Sequence, residues 1–375
     1  MIRRDFWENR IKEEWNKVPI VWLSGVRRVG KTVLSKLVCG DNCVYIDCDI
    51  PVSNDILKKP ELFFKNCEKP IIVFDEIHQL RDPDRILKIG ADMFPHLKFL
   101  VTGSSTLFAG KKFRDTLTGR KRNVHLLPVM YNELDKFNIS LERRLLNGGL
   151  PPAMMSEKKD FSFYKEWSDS FFSRDIQKLF GLKDYNKFNI FFEYLMVQSG
   201  GMLEILKVSS EVGIARQTVG NYMRILELTE TIRIVRPFFA KSKKEIVKMP
   251  KVYSFDTGFV SFFRNWYPLR DSDKGFLWEH IVLDWLIATN PHLNICYWRD
   301  KSGNEIDFVI QRDRENIDIF ECKWDAEDIS QKAVKKFREL YPTGKNFIIS
   351  PVSIPYKKEV KDLIFEVTPP FLIEN

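Results

Sequence analysis

Residues Ile20–Leu37 read IVWLSGVRRVGKTVLSKL, and the architecture of the first part of the chain follows from that run. Ile20 to Leu23 are apolar without alternation, the pattern of a parallel strand covered on both faces. Gly25-Val-Arg-Arg-Val-Gly30-Lys31-Thr32 matches G-x-x-x-x-G-K-[ST] at every fixed position. Val33 to Val38 then begin a helix. In the order strand, loop, helix, the two glycines let the loop turn tightly and aim its N–H groups inward. The helix start adds the positive end of its dipole. Gly25, Val26, Arg27, Arg28, Val29, Gly30, Lys31, Thr32 and Val33 therefore read as a phosphate cradle. Lys31 is placed to reach β- and γ-phosphates as a point charge, and the Thr32 hydroxyl to ligate Mg²⁺.

A second signal supports the first. Pro70-Ile-Ile-Val-Phe-Asp75-Glu76 is an apolar strand running into two carboxylates, which sets both acids at the carboxyl edge of a parallel sheet. Asp75 reads as the residue that holds Mg²⁺, and Glu76 as the one that orients and deprotonates the attacking water. A further strand, Leu97 to Thr102, runs into Gly-Ser104-Ser105. Ser104 is either a γ-phosphate sensor or part of a polar turn. Arg120, in Thr118-Gly-Arg120-Lys121-Arg122, is either a surface residue or one that stabilises transition-state charge in a neighbouring subunit, which would require a homo-oligomer.

Composition narrows the class. A chain of 375 residues with 44% hydrophobic and 29% charged residues is long enough for two or three domains with a sizeable core. No apolar run approaches the ~18 residues needed to span a bilayer, and the charged start lacks an export signal. The expectation is a soluble cytoplasmic protein without a membrane partner. Cysteines 39, 43, 48, 67, 296 and 322 contain no C-x-x-C pair, and they read as reduced thiols and small core residues. Residues 1 to 18 carry Phe6, Ile11, Trp15 and Val18 at helical spacing. The aromatic runs from Phe161 to Phe180 and from Phe188 to Gln198 read as helical core.

From Leu203 the sequence predicts a helix, a turn at Glu211-Val-Gly213 and a second helix to Leu226. Two strands, TIRIVRPFF and VKMPKVYSF, follow and are joined by Ala240-Lys-Ser-Lys-Lys-Glu. That order fits a winged helix. Between Gly201 and Lys251 stand ten Lys or Arg against five Glu and no Asp, a local basic excess. Arg216, Gln217, Thr218 and Asn221 would face a major groove, and Lys241, Lys243 and Lys244 would contact phosphates. DNA is one candidate partner, and packing against protein is the other.

In the tail, Glu279 falls on a helix, Leu277 to Ile287. Asp307 ends SGNEID, and Glu321-Cys-Lys323 closes the strand that begins at Ile317. Asp307 and Glu321 are fourteen residues apart, enough for a hairpin turning at Asp313-Arg-Glu. Glu321 and Lys323 alternate and share one face. The arrangement resembles the PD-(D/E)XK nucleases, with Asp307 and Glu321 as ligands of a second Mg²⁺, Glu279 completing the shell and Lys323 positioning water. The competing reading is an ordinary surface hairpin, or a nuclease fold kept for binding.

Taken together, GVRRVGKT, IIVFDEIHQL, VTGSS, LTGR and LLPVMYNEL resemble the AAA-type ATPases with a C-terminal DUF4143 domain. The resemblance continues through GGLPPAM, SRDI, FDTG, GFLWEH and YWRDKSGNEIDFVI. The chain departs from that family's pattern at His280 and Cys322. The fold class expected is α/β: a P-loop parallel sheet with helices on both faces (1–140), a helical lid or linker (141–200), a winged helix (201–255) and a restriction-endonuclease-like α/β domain (256–375). ATP and Mg are the expected cofactors. The function expected is Mg²⁺-dependent ATP hydrolysis coupled to a DNA-related task; the alternative is a nucleotide-driven switch that binds a protein partner through an inactive nuclease-like domain.

Overall fold

The computed structural model describes residues 1–103, 116–177, 180–182, 184–239, 249–328 and 331–373. The chain divides into two compact units. The first comprises residues 1–127, 167–182 and 228–230, and the second comprises 128–166, 183–227 and 231–375.

The first unit is a five-stranded sheet of order β2-β3-β4-β1-β5, with β1 Ile20–Ser24, β2 Cys43–Asp47, β3 Ile71–Asp75, β4 Lys98–Thr102 and β5 Lys121–His125. Every neighbouring pair is parallel. All five residues of β1 are buried, as expected of a strand with a neighbour on each side and helices above and below. Because the strands run parallel, the phosphate loop after β1 and the Asp-Glu pair at the end of β3 emerge at the same edge, separated by β4. Trp22, Phe64, Phe74 and Phe99 fill the core, with Phe74 and Phe99 stacked at 6.3 Å.

Helix α1, Asp5–Trp15, buries Trp7, Ile11 and Trp15, so Trp7 takes the inward position expected of Phe6. Trp15 Nε1 donates to Phe99 O at 2.9 Å. Helix α2, Lys31–Cys39, follows the loop. Cys39 at its end and Cys43 at the start of β2 form a disulfide across the intervening turn, with Cα atoms 5.2 Å apart. The expectation of six reduced thiols is corrected for this pair, because the helix-to-strand turn folds the two residues together. Cys48 and Cys322 are free and buried, as expected.

The second unit is built on an eight-stranded mixed sheet of order β12-β13-β11-β10-β9-β8-β6-β7. Its strands are β6 Ile232–Pro237, β7 Lys251–Ser254, β8 Ile295–Arg299, β9 Glu305–Gln311, β10 Ile317–Cys322, β11 Asn346–Ile349, β12 Tyr356–Val360 and β13 Leu363–Thr368. The expected tail hairpin is β9 and β10, antiparallel, with Phe308 opposite Phe320. Helices Ile205–Val212 and Arg216–Leu228 flank Gly213, which is left-handed at φ 70°. The two strands that follow are antiparallel, but they do not stand apart as a separate wing, because β6 also pairs in parallel with β8.

Arg144 is fully buried in this unit. Its Nε donates to Val129 O at 2.6 Å and its Nη1 to Thr257 Oγ1 at 2.9 Å. Its Nη2 lies 3.5 Å from Asp284, which also pairs with Arg233 at 3.1 Å. Removing one partner from a buried charge network strands the other. Arg144→Ala is therefore expected to cost roughly 3–5 kcal/mol of this unit's stability, read from the midpoint of urea unfolding. No helix among the described residues is long and apolar enough to cross a membrane.

Candidate functional site

The loop between β1 and α2 has the backbone its glycines permit. Gly25 has φ 143° and Gly30 has φ 103°, with Arg28 also left-handed at 60°. A Cβ on Gly25 would meet Leu126 O at 2.6 Å, so both conformation and space require glycine there. Lys31 folds over the loop and donates to Gly25 O at 2.8 Å and Val26 O at 3.1 Å. Burial lowers the Lys31 pKa, while Glu76, Glu230, Asp175 and Asp75 oppose the shift. An ammonium under that desolvation gains from an incoming polyanion.

Asp75, 5% exposed, is ringed by hydroxyls. Thr32 Oγ1 donates to its Oδ2 at 2.9 Å and Tyr45 OH to the same oxygen at 2.6 Å, while Thr102 Oγ1 donates to Oδ1. A carboxylate beside threonine hydroxyls is the hard oxygen donor set that suits Mg²⁺. Glu76 adopts a left-handed backbone, φ 56°, and its N–H donates to Thr102 Oγ1 at 2.9 Å. A non-glycine residue in that region costs on the order of 1–3 kcal/mol and is held there by its surroundings. Burial pushes the Glu76 pKa up, but its bond to His78, at 3.2 Å, and the Lys31 charge outweigh burial and hold it below the ordinary glutamate value. Thr32 and Asp75 thus meet beside the loop, with Glu76 next to Asp75 in the chain.

Several partners were not legible in the motifs. Arg27 pairs with Asp175 at 3.1 Å, and Trp167 Nε1 donates to Arg27 O at 3.1 Å. Both partners come from the helical stretch Phe161–Gln177, whose aromatics read only as core. On the other side of the loop, Ser24 Oγ donates to Glu230 Oε1 at 2.8 Å, and His125 Nδ1 lies 2.8 Å from the same oxygen. Burial raises the Glu230 pKa, but His125 and Ser24 outweigh it and bring the value down. Arg120 sits just before β5, at the opposite end of that strand from His125, and is held by Asp92 through two nitrogens, at 2.5 and 3.1 Å. Ser104 lies outside the described residues, as do Lys241, Lys243 and Lys244.

In the second unit Glu279, on the helix Asp271–Thr289, accepts from Tyr253 OH at 3.0 Å. Asp307 on β9 accepts from Cys322 N at 2.8 Å, and Lys323 Nζ lies 3.4 Å from Glu321. Burial, and then the charge on Asp307, push the Glu279 carboxyl up to about 7 and the Glu321 carboxyl up to about 8. The four predicted residues are thus within electrostatic reach of one another. Among the described residues, however, no group of three or more His, Cys, Asp or Glu is placed to hold a metal ion. Sequence reasoning also missed Lys251 and Glu305, which form an ion pair in the same region between a buried lysine and a half-buried glutamate.

The parallel sheet, its strand order, the Gly-rich loop and the adjacent Asp-Glu edge define a P-loop NTPase fold. Residues 17–135 match the family model described as an AAA domain, and residues 274–369 match a domain of unknown function, DUF4143. Residues 138–269 match a further domain of unknown function, DUF8612. In order along the chain, the matches are thus to an AAA domain, DUF8612 and DUF4143. It is 26% identical over 314 residues to the uncharacterized protein Rv2008c of Mycobacterium tuberculosis, covering 80% of this chain and 70% of that one. A Mycobacterium bovis protein, Mb2031c, matches to the same extent. Among solved structures, the RuvB Holliday junction branch migration motor of Thermotoga maritima is similar at 15% identity, with 63% of this chain and 90% of that chain covered and a TM-score of 0.31. A signal-transduction ATPase from Pyrococcus horikoshii is similar at 12% identity, with 78% and 46% covered and a TM-score of 0.27.

Proposed function

We propose that the first unit binds ATP with Mg²⁺ and hydrolyses it, and that turnover serves a DNA-related task. The observation that carries the ATPase reading is the convergence of Lys31, Thr32, Asp75 and Glu76 at one edge of the parallel sheet. Mg²⁺ supplies charge neutralisation on the β- and γ-phosphates, and Thr32 and Asp75 are the residues that would hold it. Gly25 to Thr32 hold the phosphates through backbone N–H groups, with Lys31 as the fixed counter-charge. Glu76 orients water and takes its proton. His78 pairing holds Glu76 as a carboxylate until that task. Arg120 is assigned to a neighbouring copy's site, which requires its release from Asp92.

The DNA reading is supported by the second helix of the helix-turn-helix. Arg216, Gln217 and Asn221 are exposed, whereas Val219, Tyr222 and Met223 are buried, so the polar side chains form an open face as a recognition helix requires. We read the C-terminal unit as the module that meets the partner and not as a cutting element. Arg216→Ala is expected to weaken DNA binding and to reduce the salt slope by about 1, with nucleotide affinity unchanged. Titrations of labelled duplex at several salt concentrations check this. A flat salt dependence in the unmodified protein would turn the reading to a switch that binds a protein partner.

A further inference from the structure

The SRDI run, Ser173 to Ile176, sends one side chain to the phosphate loop. Asp175 lies on Phe171–Gln177, a stretch of π-helix, a rare helix type frequently found at functional sites. Its Oδ2 accepts from Arg27 Nη1 at 3.1 Å. Arg27 follows directly after Gly25 and Val26, the two residues whose carbonyls hold Lys31 Nζ. Because that ammonium is the group placed for the β- and γ-phosphates, Arg27 stands at the same, terminal-phosphate end of the cradle. All of these residues belong to the first unit.

The main chain and the side chain of Arg27 are held differently. Its carbonyl accepts from Trp167 Nε1 at 3.1 Å, and Trp167 is fully buried and stacked on Phe171 with ring centres 5.0 Å apart, so the backbone is pinned. The guanidinium has Asp175 as its one partner among the described residues. Nη1 is engaged, while Nε is buried without a hydrogen-bond partner. The two side chains are 29% and 27% exposed, and an ion pair of one bond, open to water to that extent, is a weak restraint. A guanidinium is a planar fork suited to two oxygens of one phosphate, and a buried donor left unmatched is costly. A turn of the side chain that brings Nε as well as a terminal nitrogen to a phosphate therefore gains on both counts.

We infer that Asp175 is a resident anion that Arg27 exchanges for the terminal phosphate of ATP, so that Arg27 selects the triphosphate over the diphosphate. This rests on the ATP reading of the first unit and adds to it the pair of residues that sets the preference.

The test is calorimetric titration of the full chain, with Mg²⁺, by ADP and by an ATP analogue whose β,γ-bridging oxygen is replaced by NH. Arg27→Ala is expected to weaken the analogue about tenfold or more, the loss of hydrogen bonds to a charged group, and to leave ADP nearly unchanged. Asp175→Asn, which keeps the side chain's shape, is expected to tighten the analogue about two- to fivefold, the release of a partly exposed ion pair, and to have no effect of its own once Arg27 is alanine. An unchanged ratio of ADP to analogue affinity in Arg27→Ala would overturn the inference. Unchanged or weakened analogue binding in Asp175→Asn would do the same, as would a tightening that persists without Arg27, which would be the plain loss of a negative charge near the phosphates. If the unmodified protein binds neither nucleotide, the ATP reading falls and the inference with it. If Lys31→Ala abolishes binding while Arg27→Ala leaves the ratio alone, the ATP reading stands and only the inference fails.

Discussion

Glu76→Gln is expected to bind ATP with near-unchanged affinity and to hydrolyse it about 10²–10⁴-fold more slowly, the range a positioned general base contributes. The substitution keeps the side chain's length and its hydrogen-bonding reach. It also keeps the constraint on the backbone, which is held left-handed at φ 56° by the N–H bond to Thr102. What it removes is the basic oxygen. Loss of charge next to Lys31 leaves phosphate binding intact or slightly improved, because the carboxylate is one of the charges acting on that ammonium. Single-turnover phosphate release, together with equilibrium binding of a labelled nucleotide, separates the two effects. Normal turnover would remove Glu76 as the base and direct attention to water held by the rest of the edge.

Lys31→Ala is expected to act on the other quantity. Truncating one member of a buried, hydrogen-bonded charge pair costs about 2–5 kcal/mol, so ATP affinity falls on the order of 10²-fold or more. Two contributions add. The phosphates lose their fixed counter-charge, and the loop loses the two bonds by which Lys31 braces the Gly25 and Val26 carbonyls. A Lys31→Arg control tests the geometry, since a planar guanidinium does not replace a compact ammonium at such a site. Unchanged affinity in Lys31→Ala would mean that the loop binds through its backbone alone.

These two sites were readable because their residues are neighbours in sequence. The loop is one continuous run, and the Asp75-Glu76 edge adjoins its own strand, so strand and motif periodicities place them without long-range information. The antiparallel tail hairpin was legible for the same reason: its turn residues and alternating strands are local. The braces were not. Asp175 reaches Arg27 across 148 positions, and Glu230 reaches Ser24 across 206, and no pattern in either segment announces its partner. Lys251 is a plain basic residue until β7 closes the edge of the eight-stranded sheet and buries it. The strand pair expected as a wing became part of that sheet because β6 has a free edge that β8 fills, a pairing between segments about sixty residues apart. The disulfide was missed because three intervening residues give no sign of how the turn between α2 and β2 bends.

The Glu230 anchor has a mechanical consequence. The second helix of the helix-turn-helix ends at Leu228, and two residues later the chain is fastened by a left-handed Glu230, φ 61°, to Ser24 and His125. Ser24 is the residue from which the phosphate loop departs. Residues 228–230 are therefore moored to the root of the loop within the first unit. Within the first unit, one carboxylate thus ties Ser24, His125 and the chain at residues 228–230 to a single point.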